Sequence, residues 1–321
     1  MAFVQERKSK GIAYLYLDKS IRIGKRVLKV SKYLGRKDEI SKDKIEAETK
    51  KFTLDLHPEI LKIIEKKLKK HKHEYPLSVE ELKKIEEMNL KYKKIKNFLH
   101  KKDWEDIKKR FVANVVFESN ALEGNSLTLR NFSEIIFENK IIGTADLREV
   151  YDAKNSYKAF SKLFSGKKEL SEAFILGLHK EIMKNIDDRT GYKKVPNIIL
   201  GRKIQLTAPK DAEKEVKALL KWYKEYKNKI HPLELAFKFH HKFERIHPFA
   251  DGNGRVGRLL LNYILIKQEY YPIIIRKTHR NAYLKALSAA DVNKYVPLMR
   301  FALEKAKDTY RKFFEIYYIH I

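Results

Sequence analysis

His247-Pro248-Phe249-Ala250-Asp251-Gly252-Asn253-Gly254-Arg255-Val256-Gly257-Arg258 is the stretch that decides how this chain is read. It packs a base, a carboxylate, three glycines, an amide and two guanidiniums into twelve residues, more chemistry than packing requires. Gly252 and Gly254 permit a strained turn, and Leu259-Leu260-Leu261 then opens an apolar helix. The backbone N–H groups of Gly252–Arg255 are therefore expected to converge at a helix N-terminus. Exposed donors and the helix dipole together make such a place an anion site.

The side chains of the stretch add chemistry to that cradle. Arg255 and Arg258 are three apart, so they share one face of the first turn, and the planar donor fork of Arg suits phosphate oxygens. Both are expected to reach one polyphosphate. Asp251 is a hard oxygen ligand suited to Mg²⁺, which takes one or two carboxylates plus nucleotide phosphates. His247, ordinarily titrating near neutrality, can accept a proton from an attacking hydroxyl. A glycine-flanked nest or a pair of arginines is common on surfaces when taken alone; their joint occurrence in this order is not.

Composition narrows what surrounds the stretch. The 321 residues, 43% of them hydrophobic, suffice for one large domain or two ordinary ones. The absence of cysteine excludes disulfides, thiol nucleophiles and thiolate metal sites. A net charge of +28 favours polyanionic partners, although a solvated Lys/Glu-rich surface would look the same. Residues 1–110 hold 32 Lys and Arg against 18 acids and the rest hold 38 against 24, so half the excess falls on a third of the chain. No signal-peptide pattern opens the sequence, and the longest apolar runs fall short of a membrane span, which makes a cytoplasmic protein the default.

Periodicity divides the chain into three. Residues 1–54 alternate through Ile12–Leu17 and Ile21–Val30, which predicts a small basic β-rich module. Residues 55–110 turn helical, with Pro58 in a first turn and a capping box at Ser78 and Glu81 opening a long helix through Leu99, a Lys/Glu-rich connector. Residues 111–321 form the main domain. Helical patterns recur at about 104–118, 128–138, 145–165, 170–184, 211–228, 232–246, 254–268, 279–289 and 293–316, an all-helical bundle. One exception is Lys193–Ala208, where Ile198, Ile199, Ile204 and Leu206 flank Gly201-Arg202 as in a β-hairpin.

The segment from His247 to Arg258 matches without gaps the Fic-domain signature His-Pro-Phe-x-Asp/Glu-Gly-Asn-Gly-Arg-x-x-Arg. Ala236, His240, Phe243 and Ile246 before it, and Arg280-Asn281-Ala282-Tyr283 after it, resemble the family as well, over roughly residues 111–305. The resemblance implies a mostly α, Fic-type bundle with a β-hairpin flap at Lys193–Ala208, following the basic β-containing N-terminal module. It implies a protein adenylyltransferase that uses ATP and Mg²⁺. His247 would deprotonate a Tyr, Ser or Thr hydroxyl of a protein target, and Asp251 would hold Mg²⁺. Gly252, Asn253 and Gly254 would cradle phosphates, Arg255 would contact the α/β region and Arg258 would clamp the γ-phosphate. One departure is Lys193-Lys194 after Gly191-Tyr192, where the family often has an Arg.

Ser119-Asn120-Ala121-Leu122-Glu123-Gly124 resembles the inhibitory motif of the same family in its N-terminal arrangement. Ser119 and Glu123 are i and i+4 on a helix, and the resemblance implies that Glu123 pairs with Arg258 where the γ-phosphate should dock. In related enzymes the same Glu also helps remove AMP, a second direction for the reaction. A third reading, nucleic-acid binding through the basic N-terminal region, has no helix-turn-helix or zinc-finger pattern behind it. The expected partners are a protein substrate, the chain itself as target or homodimer, and no membrane. His240, His241 and His247 do not form a metal pattern, and His240 is expected to support the motif loop from the core. His57, His71, His73 and His100 lie in Lys-rich stretches expected at the surface, and Tyr310, Tyr317 and Tyr318 read as packing.

Overall fold

The computed structural model describes residues 2–23, 26–54, 58–69, 77–140, 146–164, 169–197 and 204–320. His57, His71, His73 and the tip of the expected hairpin, 198–203, lie outside them. The chain divides into two compact units, one ending at Leu68 and the other beginning at Lys69. The helix over 58–68 thus belongs with the sheet, and the long helix after Ser78 with the bundle.

In the first unit, β1 (Ala2–Ser9), β2 (Ile12–Ile23) and β3 (Arg26–Arg36) form an antiparallel sheet in that order. Ser9 pairs with Ile12 across Lys10-Gly11, both at positive φ (48° and 78°), the mirror-image turn whose twist suits a hairpin. Leu15 and Leu17 are buried, and Lys19 and Lys32, on that same face, bind α1 (Lys42–Leu54). Lys19 Nζ caps the α1 carbonyls of Phe52 and Thr53 at 3.3 and 2.7 Å, and Lys32 pairs with Glu48 at 2.6 Å. The expected β-rich module also contains the helix α1. Its charged sequence shows only a thin apolar stripe, so contact with the sheet and not periodicity defines it. α2 (Pro58–Leu68) begins at the expected proline.

The second unit is the helical bundle. Its helices are α3 (Val79–Phe98), α4 (Lys101–Leu122), α5 (Leu129–Phe137), α6 (Leu147–Leu163), α7 (Glu172–Met183), α8 (Ala212–Tyr226), α9 (Pro232–Ile246), α10 (Asn253–Lys267), α11 (Arg280–Asp291), α12 (Val296–Thr309) and α13 (Glu315–Ile319). Both halves of the Ser78–Glu81 capping box are formed. The expected helix over 293–316 is interrupted: a π-helical segment, Tyr310–Phe314, joins α12 to α13 and turns Phe314 and Tyr310 into the core. No strand occurs at the described residues 193–197 and 204–208 flanking the hairpin tip.

α9 and α10 pack against each other at the centre, with α4, α6, α7, α8 and α12 around them. From Val256 to Leu265 every residue of α10 is buried, as expected of a helix apolar on all sides. Burial on all faces fixes α10 in register and direction. Its N-terminus, where the Gly-rich loop enters, is therefore held rigidly.

Candidate active site

The loop between α9 and α10 is shaped by two left-handed residues. His247 ends α9 at φ 48°, ψ 58°, and Gly252 opens α10 at φ 78°, ψ 4°. The φ of Gly252 favours glycine, and a Cβ there would also press on Met183 Sδ at 3.0 Å. Between them, Phe249 is fully buried and stacks on the His179 ring at 3.8 Å. Asn253 ties the loop to itself: Phe249 N–H donates to Asn253 Oδ1 at 3.0 Å, and Asn253 Nδ2 donates to the Phe249 carbonyl at 2.8 Å. The Asn253 side chain thus braces the loop.

Outside the motif, Lys193 carries out a second brace. It is buried, its N–H donates to the Pro248 carbonyl at 2.8 Å, and its Nζ reaches Asn197 Oδ1 at 2.9 Å and the Ile246 carbonyl at 3.4 Å. Burial pushes its ammonium below the ordinary lysine value. Asn197 in turn donates to the Phe249 carbonyl at 2.8 Å. The position noted as a departure from the family pattern is therefore a cation seated beneath the motif loop.

The predicted residues converge. His247, Asp251, Gly252, Asn253, Gly254 and Glu123 line one open cavity of about 560 Å³, together with Lys277 and Arg280. Arg258 joins Glu123, His247 and Gly254 around an adjoining space of about 100 Å³. Arg255 and Arg258 each engage a different helix. Arg255 is buried against Asp152 of α6, with Asp251 Oδ1 at 3.5 Å, and burial pushes its guanidinium down to about 10, still charged at neutral pH. Arg258 donates from Nε to Ser119 Oγ at 2.9 Å, and from Nη2 to the Ser119 carbonyl at 2.8 Å and Glu123 Oε1 at 2.7 Å.

Glu123 is the C-cap of α4, followed by Gly124 at φ 101°. Its carboxylate lies so close over Gly254 that a Cβ there would collide with it. Burial pushes this carboxyl up, but the Arg258 ion pair, with help from Arg255 and His247, holds it below the ordinary glutamate value. An anion thus already sits where the α10 N-terminus favours one.

Asp251 accepts from Arg148 at 2.5 Å and from Gly252 N–H at 2.6 Å. Among the described residues no group of three or more His, Asp or Glu could hold a metal unaided. A single partly exposed carboxylate facing a phosphate-sized cavity still fits Mg²⁺, which completes its shell with water and phosphate oxygens.

Periodicity singled out neither Arg148 nor Asp152, which meet the motif only through folding. Glu244 was missed too: buried, its two oxygens lie 4.0 Å from His240 Nδ1 and 3.9 Å from His247 Nδ1. Its i−3 spacing from His247 was the available signal. His240 is fully buried with Nε2 at 2.5 Å from the Tyr283 hydroxyl, and His100 is exposed. Tyr310 is buried, while Tyr317 and Tyr318 are half-buried.

A left-handed histidine, a glycine-rich turn and a helix N-terminus facing a cavity with arginines make up a helical domain whose cavity favours anions. The model of the Fic/DOC family matches residues 169–265. The chain is similar to the protein adenylyltransferase Fic of Nematostella vectensis, 29% identical over 204 residues that make up 61% of this chain and 48% of that protein. Its fold is similar to a Fic domain containing signaling protein from Bacteroides thetaiotaomicron (TM-score 0.65, 26% identity, 71% of this chain and 95% of that one). It is similar also to Fic-1 of Caenorhabditis elegans (TM-score 0.63, 23% identity, 74% and 71%). Residues 169–265 are thus a Fic/DOC-family domain. The chain spans about half the length of the curated relatives it matches. Among the described residues, no helix is long and apolar enough to cross a membrane.

Proposed function

We propose that the chain transfers AMP from ATP to the hydroxyl of a protein Tyr, Ser or Thr, on another protein or on itself, and that Glu123 restrains the reaction. The observation that carries this reading is the Glu123–Arg258 pair of 2.7 Å laid over Gly254, in the cavity that also presents His247.

His247 takes the proton of the acceptor hydroxyl as its oxygen bonds to the α-phosphorus; the bond from that phosphorus to the β-bridging oxygen breaks and pyrophosphate leaves. The N–H groups at the start of α10 stabilise charge on the phosphate oxygens from fixed positions. Asp251 would hold Mg²⁺, which neutralises phosphate charge when bound. Arg258 serves the γ-phosphate only once it leaves Glu123, because one guanidinium edge cannot satisfy both anions. Buried Glu244 faces Nδ1 of His247 and favours a proton there, leaving Nε2 as the accepting nitrogen.

Removal of AMP is the second direction, and one observation favours it: the Glu123 side chain keeps 42% of its surface exposed in the same cavity as His247. A carboxylate so placed can orient water. Incubation of the Glu123→Gly protein with ATP and Mg²⁺, followed by mass spectrometry, distinguishes the readings. An AMP-sized adduct that is absent with His247→Ala supports transfer; silence against a broad extract, with ATP still bound, removes it.

A further inference from the structure

The sheet of the first unit is one-sided in an unusual way. Residues 2–36 hold ten Lys and Arg and two acids, Glu6 and Asp18, the steepest positive bias in the chain. Leu15 and Leu17 point to α1, so the register assigns Phe3 and Arg7 of β1, Tyr14 and Tyr16 of β2, and Lys29 and Tyr33 of β3 to the opposite face. The solvated face of an antiparallel sheet is ordinarily polar. Here it carries rings: Tyr33 lies 5.3 Å from Tyr16 and 6.1 Å from Tyr14, and Arg7 sits 4.2 Å over the Tyr16 ring. Phe3 and Tyr33 keep 54% and 53% of their surface exposed. Asp18, the one acid on this face, is already engaged by Arg7 at 2.7 Å and Ser31 at 2.5 Å.

We propose that this face is a docking surface for a single strand of RNA. Exposed rings call for flat partners, and Arg7, Lys29 and Arg36 on the same face call for a polyanion. A single strand offers both, because its bases are unstacked and its phosphates follow them, whereas a duplex hides the base faces. An acidic protein would meet the charge but leave the rings without planar partners. Hydroxyls of the three tyrosines, with Gln5 on the same face, give polar groups for 2′-hydroxyls, the feature that separates RNA from DNA. The site is separate from the Fic motif, so the proposal stands or falls independently of the transferase reading.

The full chain is titrated against fluorescein-labelled oligouridine by fluorescence anisotropy, with binding by the His247→Ala protein expected to be unchanged. Affinity is expected to fall linearly on a log–log plot with salt, less steeply for Lys29→Ala. Tyr16→Ala with Tyr33→Ala is expected to weaken binding about tenfold or more, while the matching Tyr→Phe pair keeps it. Circular dichroism checks that the sheet survives; Tyr33→Ala alone, at a half-exposed position, is the variant to use if the pair unfolds. The proposal is overturned if the strand does not bind at low salt, or if the folded Tyr→Ala variants bind as well as the unaltered protein. It is likewise overturned if a blunt RNA duplex, the DNA strand of equivalent sequence, or anionic phosphatidylserine vesicles bind as tightly or more tightly.

Discussion

Glu123 Oε1 lies 2.7 Å from Nη2 of Arg258, and the same carboxylate covers Gly254 at the first turn of α10. In the proposed reaction, one side chain would thereby occupy both the clamp and the cradle of a triphosphate. The pair is drawn from helices 135 residues apart in sequence, α4 and α10, so its strength is sensitive to anything that shifts α4.

Glu123→Gly removes the competitor without touching the motif. AMP incorporation from α-labelled ATP is expected to rise by about 5- to 150-fold, the span of a coupling of about 1–3 kcal/mol. Unchanged incorporation alongside unchanged ATP affinity would mean that the pair does not restrain catalysis.

The pH behaviour of the restraint follows from the lowered Glu123 pKa. A carboxyl whose folded value lies below its unfolded one stabilises at pH above the unfolded value, and loses that contribution as pH falls through the folded value. Glu123 therefore stays ionised throughout the neutral range, and acid cannot open the lock there. The ratio of Glu123→Gly to unaltered activity is expected to stay flat between about pH 5.5 and 8, well above the ordinary Glu value of about 4.3. A ratio that collapses in mild acid would contradict this.

Glu244→Gln keeps the shape of the α9 end but removes the charge facing His247 Nδ1 at 3.9 Å. In the Glu123→Gly background, kcat is expected to fall about 10- to 100-fold, less than the ten-thousandfold loss of a directly bonded triad carboxylate. The acid limb of the pH–rate profile should also move to lower pH, because losing a nearby negative charge lowers the histidine pKa. A rate loss with no movement of that limb would assign Glu244 to packing.

Phe249→Ala deletes a fully buried ring stacked on His179. It is expected to cost about 3–5 kcal/mol in urea unfolding. The loop it anchors carries Asp251 and Gly252, so activity should fall even at temperatures where the variant remains folded. Full activity in a folded Phe249→Ala protein would show that the loop does not depend on this anchor.

The helices of the bundle were legible because their apolar residues recur at the helical period over long stretches, and because Ser78 and Glu81 mark the start of α3; Pro58 marks that of α2 in the first unit in the same way. α1 was not legible: its residues are mostly charged, and a helix with so thin a stripe is fixed by the sheet it lies on. The π-helical Tyr310–Phe314 was equally hidden, since a single inserted residue changes which face turns inward without disturbing composition.

For the site, sequence alone placed a glycine-rich turn at a helix start, because Gly252 at positive φ and the helix-ending His247 are local in the chain. The candidate base, the candidate Mg²⁺ ligand and the two arginines could be read from twelve consecutive residues for the same reason. The Glu123–Arg258 pair was anticipated only through the family resemblance, not from the spacing of the residues. Only the tertiary structure decided that Arg255 meets Asp152 and Asp251 meets Arg148 across 103 residues each, pairings that depend on how α6 packs on α10 and that no local spacing encodes.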